Sequence, residues 1–576
     1  MKKFSINKKR LLVTGYWLRK VFSVFSVSSV SSVFSVFSVG VALTSCNDYL
    51  DKLPDDRATV DTETKVNKLL TDCYPYCSSD FLGEMSSDNV GDYAWFSGND
   101  NVSYTHAQNQ MYRFEDVTDE DWDTPYWLWK YYYKAVATAN TVIDNIREIG
   151  SEGLVSQEAE ARLCRAYSMM KLAETFCMAY DPTKADEYLG LPYPTTVSSE
   201  LNPQYERGTL GELFANIAAD IEWAIGGDEP RLDENHYTVP KYHFNMKAAY
   251  AFAARFYLYY QNWKEAVKYA TKALGTEPKT MLREMSTYAN QSTGAEDIYN
   301  MYIRTSENCN LMLQAAYSLQ GRRYVSSYYR FNHNTYIESK ETYGGKTIFG
   351  MGSSGLFYWP NMMYYSGTQG PATFFPNVME KFEYADKVAG TGTPHIVDAI
   401  FTGDETILVR AEANAILGNT QASLDDLNLW ALTHTKEKAG TQERFELTQD
   451  TINGWFDNAR SPIDYCEEAP ASDRMEWFQF MTPRKRLHPQ GFADKVPEGS
   501  DTENLLQIIL QFRRLETMAQ GLRFYDLKRY GIYFVHYLFE EDPVVIEPGD
   551  LRLAIQIPLS VVNAGIEANP RKEVTE

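Results

Sequence analysis

The chain has 576 residues, with 55 basic and 77 acidic side chains and a formal net charge of −22 at pH 7. This acidity disfavours nucleic acid and anionic membrane surfaces as partners, because both carry negative charge. Seven cysteines and eight histidines show no zinc-site spacing, and so few cysteines do not make a disulfide scaffold. We therefore predict no metal site and no cofactor, and we interpret the six cysteines after Cys46 as buried thiols, with room for one bridge.

The first 45 residues have the pattern of a bacterial secretion signal. Seven basic and no acidic residues precede Asp48, and a serine-rich apolar run follows the basic part. The serines argue against a retained membrane helix, which needs about 20 predominantly apolar residues. Leu43, Thr44 and Ser45 directly before Cys46 resemble a lipoprotein box. We predict a signal peptide over residues 1–45 and lipid attachment at Cys46, so that the membrane is reached through the anchor alone.

Helical periodicity dominates on both sides of a long irregular middle. Segments 118–150, 156–180 and 207–227 have apolar residues at helical spacing and helix-boundary residues at their ends. Segment 250–278 contains two helical runs with small residues, typical of a tetratricopeptide repeat, and segment 405–430 is a weaker copy. Two copies do not form a free-standing solenoid, so the other helices must complete the stack.

Two long insertions interrupt this helical pattern. In the first, glycines, aromatic residues and short alternating stretches replace the helical spacing, and its aromatic content argues against disorder. Insertions of this length in a helical protein are usually functional or disordered. The predicted organisation is a single domain, 46–576, with a helical scaffold over 60–278, 404–435 and 502–531, an aromatic-rich insertion over 279–403 and a second insertion over 436–500.

The segment LQFRRLETMAQGLRFYDLKRYG (510–531) carries the most informative pattern. It resembles the C-terminal signature of the SusD/RagB-like nutrient-uptake lipoproteins. Phe512 and Gln520 depart from it, because the family usually has glutamates there. We interpret Arg513–Glu516 and Arg523–Asp526 as i,i+3 pairs on a helix surface, with a structural role. The residues that fit the signature are Arg513, Arg514, Glu516, Gly521, Arg523, Asp526, Leu527 and Arg529.

Further segments follow in the order expected for this family, over essentially the whole exported chain. The resemblance implies a mostly α fold in which a tetratricopeptide-like scaffold carries loop insertions with the ligand site. It also implies a lipid-anchored protein on the outer face of the outer membrane, which captures oligosaccharides, or peptides in one branch. Such proteins act as lids on a TonB-dependent barrel transporter. The supporting segments are 47–51, 158–172, 206–224, 244–266, 409–418 and 555–570.

The resemblance implies a glycan site built from two loops, because aromatic rings stack on the C–H faces of sugars while polar groups bind the hydroxyls. Tryptophans on predicted helices are instead interpreted as packing residues. These are Trp122, Trp127, Trp129 and Trp263. Candidates in the loop after the first mature helix are Asp88, Asn89, Tyr93, Trp95 and Phe96. Candidates in the irregular middle are Tyr358, Trp359, Asn361 and Tyr364.

Three other functions were weighed against glycan capture. A glycosidase needs paired carboxylates, but 77 acids make any single pair uninformative, and no His-Glu-x-x-His or Gly-x-Ser-x-Gly motif occurs. The Gly-Lys-Thr at 345–347 is not a P-loop, since Lys340 stands where a glycine is required. We therefore predict a binding protein and not an enzyme. Peptide capture remains the runner-up, and a tetratricopeptide-type adaptor is disfavoured by Cys46 and the aromatic insertions.

Overall fold

A computed structural model of the chain describes one compact unit within Val60–Glu576. The predicted signal peptide and Cys46 lie outside the described residues. No helix in the described part of the chain is long and apolar enough to span a membrane. The described residues are 62–98, 102–150, 152–198, 205–227, 229–234, 237–289, 295–324, 329–358, 364–365, 373–374, 378–438, 443–457 and 485–571.

Helices predicted in the N-terminal half are confirmed, with shorter ends. Thr124 caps α5 by accepting a hydrogen bond from the Trp127 N–H at 3.3 Å, and the helix ends at Gly150, whose φ of 65° lies in the left-handed region. Thr209 and Glu212 form a capping box at the start of α7. The helices are α1 (Glu63–Leu70), α2 (Asp80–Met85), α3 (Tyr93–Ser97), α4 (His106–Tyr112), α5 (Pro125–Ile149), α6 (Val155–Phe176) and α7 (Leu210–Ile225).

The two tetratricopeptide-like segments are confirmed as helix pairs. The first comprises α8 (Met246–Tyr259) and α9 (Trp263–Leu274). The second comprises Gly403–Ile416 and Thr420–His434 and begins 129 residues after the end of α9. Its first helix packs against α9 as well as against its own partner. Buried alanines such as Ala254, Ala266 and Ala273 allow the close approach. Pairs α5–α6 and α6–α7 pack side by side and extend the stack.

The first insertion folds into short helices and strands. Its largest sheet is antiparallel, with strand order β2-β9-β8. Its helices are α10 (Met285–Ala289), α11 (Ala295–Tyr302), α12 (Gln320–Arg323) and α13 (Thr335–Glu341). After β1 (Gly91–Asp92), the strands are β2 (Asn310–Tyr317), β3 (Phe331–Asn332), β4 (Lys346–Thr347), β5 (Gly350–Met351), β6 (Tyr364–Tyr365), β7 (Thr373–Phe374), β8 (Lys381–Asp386) and β9 (Thr391–Thr402).

The C-terminal part returns to the helical scaffold and ends in a hairpin. The second repeat-like pair is α14 (Gly403–Ile416) and α15 (Thr420–His434), and the remaining helices are α16 (Gln449–Asp457), α17 (Asp501–Glu516), α18 (Leu522–Arg529) and α19 (Leu559–Asn563). Strands β10 (Phe534–Leu538) and β11 (Glu541–Ile546) pair antiparallel. The family signature lies on α17 and α18, and β10 contacts β1 and α3.

The signature arginines are buried, so our reading of them as surface pairs is wrong. Arg513 is fully buried, and its guanidinium lies 3.3 Å from both Glu405 and Asp526 and 3.4 Å from Glu412. Arg529 pairs with Glu412 and Asp526, each at 2.6 Å. These five residues, here named the buried charge network, join α14, α17 and α18. The pairing is between helices because α17 packs against both α14 and α18.

The cysteines of the described chain are buried free thiols, as predicted. They are Cys73, Cys77, Cys164, Cys177 and Cys309. Burial raises the pKa of each of these thiols, so they remain protonated at neutral pH. Cys466 lies outside the described residues.

Candidate functional site

Asp92 organises the loop that carries the first group of predicted site residues. It caps α3 by accepting the Ala94 N–H at 2.8 Å, and its two oxygens bind the Arg330 guanidinium at 2.8 and 2.6 Å. The Phe539 N–H donates to the same carboxylate at 2.9 Å. One buried carboxylate thus fixes three segments, namely α3, the residues before β3 and the β10–β11 turn, because each presents its donor to Asp92.

On this support lies a group of rings that we name the Trp95 surface: Tyr93, Trp95, Tyr104 and Tyr537. The rings of Trp95 and Tyr537 stack with centroids 4.9 Å apart and an interplanar angle of 20°. Tyr104 is 48% exposed, and the Arg330 guanidinium lies 5.6 Å from its ring centroid. Tyr93 is half-buried and its N–H donates to the Arg330 carbonyl at 2.8 Å. The result is a shallow aromatic surface held by buried polar contacts.

Asp88 lies beneath this loop. Its carboxylate binds Arg523 through two hydrogen bonds of 2.8 Å and lies 3.4 Å from Arg514. Burial alone would raise the pKa of Asp88, but Arg514 and Arg523 hold it well below its usual range. The carboxylate therefore stays ionised and ties the loop to α17 and α18. This geometry favours a role in positioning the loop.

Asn89 is fully buried and faces the same helices. Its side-chain oxygen accepts from Arg514 at 2.7 Å, and its amide donates to Glu84 at 3.0 Å. Glu84 also accepts from the Tyr324 hydroxyl and the Gly521 N–H, and burial raises its pKa to about 7. Asn89 thus belongs, like Asp88, to the support under the Trp95 surface. For both residues, direct ligand contact stays a prediction.

The second group of predicted residues is only partly described. Tyr358 is half-buried; its N–H donates to the His434 carbonyl at 3.2 Å, and the Lys436 ammonium lies 5.8 Å from its ring centroid. Tyr364 lies in β6, opposite Phe374 of β7. Trp359 and Asn361 lie outside the described residues, as does the Phe96 side chain. Their roles in binding therefore stay predictions.

Tyr104 and Tyr537 are the additions that sequence reasoning missed. Tyr537 follows Trp95 by more than 400 residues, and no local pattern connects the two. Tyr537 lies between the buried His536 and Leu538 on β10, so it points to the opposite face of the strand. The sequence could have predicted this orientation only if it had also predicted the strand. Tyr104 directly precedes Thr105 and Gln108, which form a capping box. This helix-start pattern could have placed Tyr104 just before a helix, where a ring can be exposed.

One group of described side chains has the composition of a cation site: Asp404, His434 and Glu516. Nε2 of His434 lies 3.2 Å from Glu516 and 3.9 Å from Asp404, while Nδ1 lies 2.8 Å from the Trp430 carbonyl. Burial alone would lower the pKa of His434, but the two carboxylates raise it. The Arg283 guanidinium lies 3.8 Å from Asp404. Together with a protonated His434, it balances the charges of the two carboxylates. We therefore assign no metal to this group.

Comparison with known proteins agrees with this architecture. Residues 48–258 match the family model SusD-like_3, described as starch-binding associating with outer membrane. No curated protein matches the chain. Over residues 48–258 the chain is thus similar to this family, in agreement with the resemblance seen in its sequence.

Solved structures of similar fold cover nearly the whole chain. A SusD-like carbohydrate binding protein from Bacteroides vulgatus is 15% identical, with a TM-score of 0.56 over 87% of this chain and 96% of that chain. A SusD superfamily protein from the same species is 17% identical, with a TM-score of 0.56 over 89% and 99%. A SusD-like protein from Bacteroides fragilis is 16% identical, with a TM-score of 0.55 over 89% and 98%. At these identities the likeness establishes the fold, which is mostly helical as predicted.

Proposed function

We propose that this protein captures oligosaccharides at the Trp95 surface and delivers them to a TonB-dependent outer-membrane transporter. The observation that carries the proposal is the stacked pair Trp95–Tyr537, whose two segments are both fixed by the buried Asp92 carboxylate. Tyr104 is 48% exposed, and its ring centroid lies 5.6 Å from Arg330, the partner of Asp92. Rings fixed in this way present flat faces to sugar C–H groups without losing side-chain entropy on binding. The match of residues 48–258 to a family described as starch-binding supports the same ligand class.

The proposed role is binding without chemistry. Asp92 and Arg330, which hold these segments, are buried and bound to each other, so they orient the surface and are not placed to transfer protons. The proposal includes attachment to the outer leaflet through acylated Cys46 and a hinged, lid-like position over the barrel. Palmitate labelling tests the anchor: the wild type should be labelled, and Cys46→Ala should not.

Titration of the mature chain from Asn47 onward tests the ligand class. Calorimetry and tryptophan fluorescence would be recorded with maltoheptaose, cellohexaose, xylohexaose, mannohexaose and a set of short peptides. Trp95→Ala and Tyr537→Ala should each weaken the affinity for the sugar that binds at least about tenfold. Trp223→Ala, which removes a half-buried tryptophan on α7, is the matched control and should leave it unchanged. A response to peptides alone would overturn glycan capture in favour of peptide capture.

A further inference from the structure

A second aromatic group, which shares no residue with the Trp95 surface, lies at the N-terminal end of α5. We name it the Trp122 cluster. Five rings from three segments contact one another in a closed order: Tyr76, Tyr131, Trp127, Trp122, Tyr317 and back to Tyr76. Successive centroids are 6.2, 4.5, 5.1, 5.9 and 6.3 Å apart. All five side chains are half-buried, so the cluster is part of the surface.

Packing of the protein core does not account for this cluster. Trp127 and Tyr131 pack against the core, whereas Tyr76, Trp122 and Tyr317 are not among the described apolar side chains that do so. These three rings cover one another and keep apolar surface in contact with water. Contiguous exposed apolar surface of this kind marks interaction sites on soluble proteins. Our interpretation of Trp122 as a packing residue is therefore revised.

The cluster is also held rigidly. The Tyr76 hydroxyl donates to Asp72 at 2.5 Å, and this bond, with burial, raises the pKa of Tyr76 to about 12. The Tyr317 N–H donates to the Tyr76 carbonyl at 2.7 Å, and the Lys134 ammonium lies 4.7 Å from the Tyr76 ring centroid. Rings fixed before a ligand arrives lose little conformational entropy when it binds.

The rim of the cluster has both charge signs. Lys130 and Lys134 are exposed on α5, and the Asp121 side chain is 60% exposed on the preceding loop. Ammonium groups donate to hydroxyls and carboxylates accept from them, whereas a strongly charged partner would meet repulsion from one of the two signs. Flat rings with such a rim suit a neutral carbohydrate. We propose that the Trp122 cluster is a second oligosaccharide-binding surface, a ligand class that rests on the proposed function.

The two surfaces are tied to the same loops. The segment 104–122 begins with Tyr104, at the Trp95 surface, and ends with Trp122. Arg323 of α12 donates to the Trp122 carbonyl at 3.3 Å, and the chain reaches Arg330, the partner of Asp92, seven residues later. Two surfaces on one protein strengthen binding of a long polysaccharide by avidity, but a ligand too short to reach both gains nothing. Chain length is therefore the variable that separates one surface from two.

The experiment compares four forms of the mature chain: wild type, Trp95→Ala/Tyr537→Ala, Trp122→Ala/Tyr317→Ala, and the quadruple variant. Retention in gels containing long polysaccharides (amylopectin, xylan and galactomannan) is measured alongside calorimetry with the matching hexasaccharides. We expect each double variant to weaken polysaccharide retention at least about fivefold and the quadruple variant to abolish it. Trp122→Phe, which keeps a stacking ring, should restore most retention, and Tyr384→Ala, which removes a ring 53% exposed on β8, should change nothing.

Each failure has its own signature. Full retention of Trp122→Ala/Tyr317→Ala, with loss in Trp95→Ala/Tyr537→Ala, overturns this inference and leaves the proposed function intact. Loss only in the Trp122→Ala/Tyr317→Ala form supports the inference and overturns the Trp95 surface as the primary site. Failure of the wild type to bind any glycan overturns both. If the cluster variant keeps its retention but no longer co-purifies with the barrel, the cluster docks protein and the inference is overturned.

Discussion

The buried charge network and the Trp95 surface place their side chains in opposite environments. The network buries charged groups, whereas the surface keeps aromatic rings in contact with water. The network puts Arg513, Arg529 and three carboxylates in the interior, where each charge is neutralised at 2.6–3.4 Å. The Trp95 surface leaves rings facing water above a buried carboxylate. The first arrangement costs desolvation and demands complete pairing. The second leaves apolar area uncovered, and a ligand is the natural means of covering it.

This difference separates the residues that carry the family resemblance from the residues that we propose for the ligand. Three members of the network lie in the C-terminal signature, namely Arg513, Asp526 and Arg529. The signature also supplies Arg514 and Arg523, which hold Asn89 and Asp88 under the loop. The signature therefore reports a scaffold, and we propose that ligand specificity lies in the loops that the scaffold carries.

Breaking the network should have the largest effect on stability. Arg513→Met removes a buried guanidinium from three carboxylates at once, leaving Arg255 beside Glu405 and Arg529 beside the other two. Removal of one member of a buried pair typically costs about 3–5 kcal/mol. Urea denaturation should show a loss of about that size, or no soluble protein. Arg147→Met, at a side chain 52% exposed, is the control and should change stability by less than about 0.5 kcal/mol. An unchanged midpoint for Arg513→Met would contradict the network's role.

The second-largest loss of stability should come from disturbing a close backbone contact beneath the loop, at Gly521. Gly521 has a φ of 69°, and a Cβ there would lie 2.9 Å from the Asp80 Cα. Gly521→Ala should therefore destabilise the protein by about 1–3 kcal/mol, through strain and the displaced α2. Thermal unfolding measures it against Gly227→Ala, where φ is also positive but no atom lies within 4 Å. Equal losses in the two variants would mean that the close approach is unimportant.

The pH dependence of stability tests whether the buried His434 is protonated in the folded protein. Its folded pKa is raised by Glu516 and Asp404 despite burial, above an unfolded value of about 6.5. The stabilisation is therefore complete below about pH 6.5 and is lost as the pH rises through the folded pKa. In urea denaturation between pH 5.5 and 8.5, the stability advantage of wild type over His434→Gln should shrink as the pH rises. An advantage that grows would show that the imidazole is neutral in the folded protein.

The smallest stability effect should come from the Trp95 surface. Trp95→Ala removes one ring of a half-buried stacked pair, worth about 0.5–1.5 kcal/mol of stability. Sugar affinity should nevertheless fall at least about tenfold, which corresponds to about 1.4 kcal/mol. Calorimetry and thermal unfolding of the same sample separate the two quantities. A large loss of stability with unchanged sugar affinity would show that Trp95 is a packing residue and not a ligand-binding residue.

Local pattern was enough to predict the scaffold but not the site. The helices at 118–150, 156–180 and 207–227 have caps and apolar spacing within one segment, so their positions were readable. The partners of Asp88 were not, because Arg523 lies 435 residues away and i,i+3 spacing suggested Asp526 instead. Tyr537 was not predicted as a site residue for the same reason, because the strand that carries it contacts α3 only in the folded chain.

The long span of these contacts has a consequence for how the protein matures. The loop bearing Trp95 is synthesised early, yet the residues that hold it, Arg514, Arg523 and Tyr537, come from the last tenth or so of the chain. Such high contact order slows folding, since the ends of a long loop must meet before any stabilisation is gained. A chain truncated before α17 would leave the early loop without its support. Sugar binding would thus appear only in full-length chains, and ligand affinity would report completed folding.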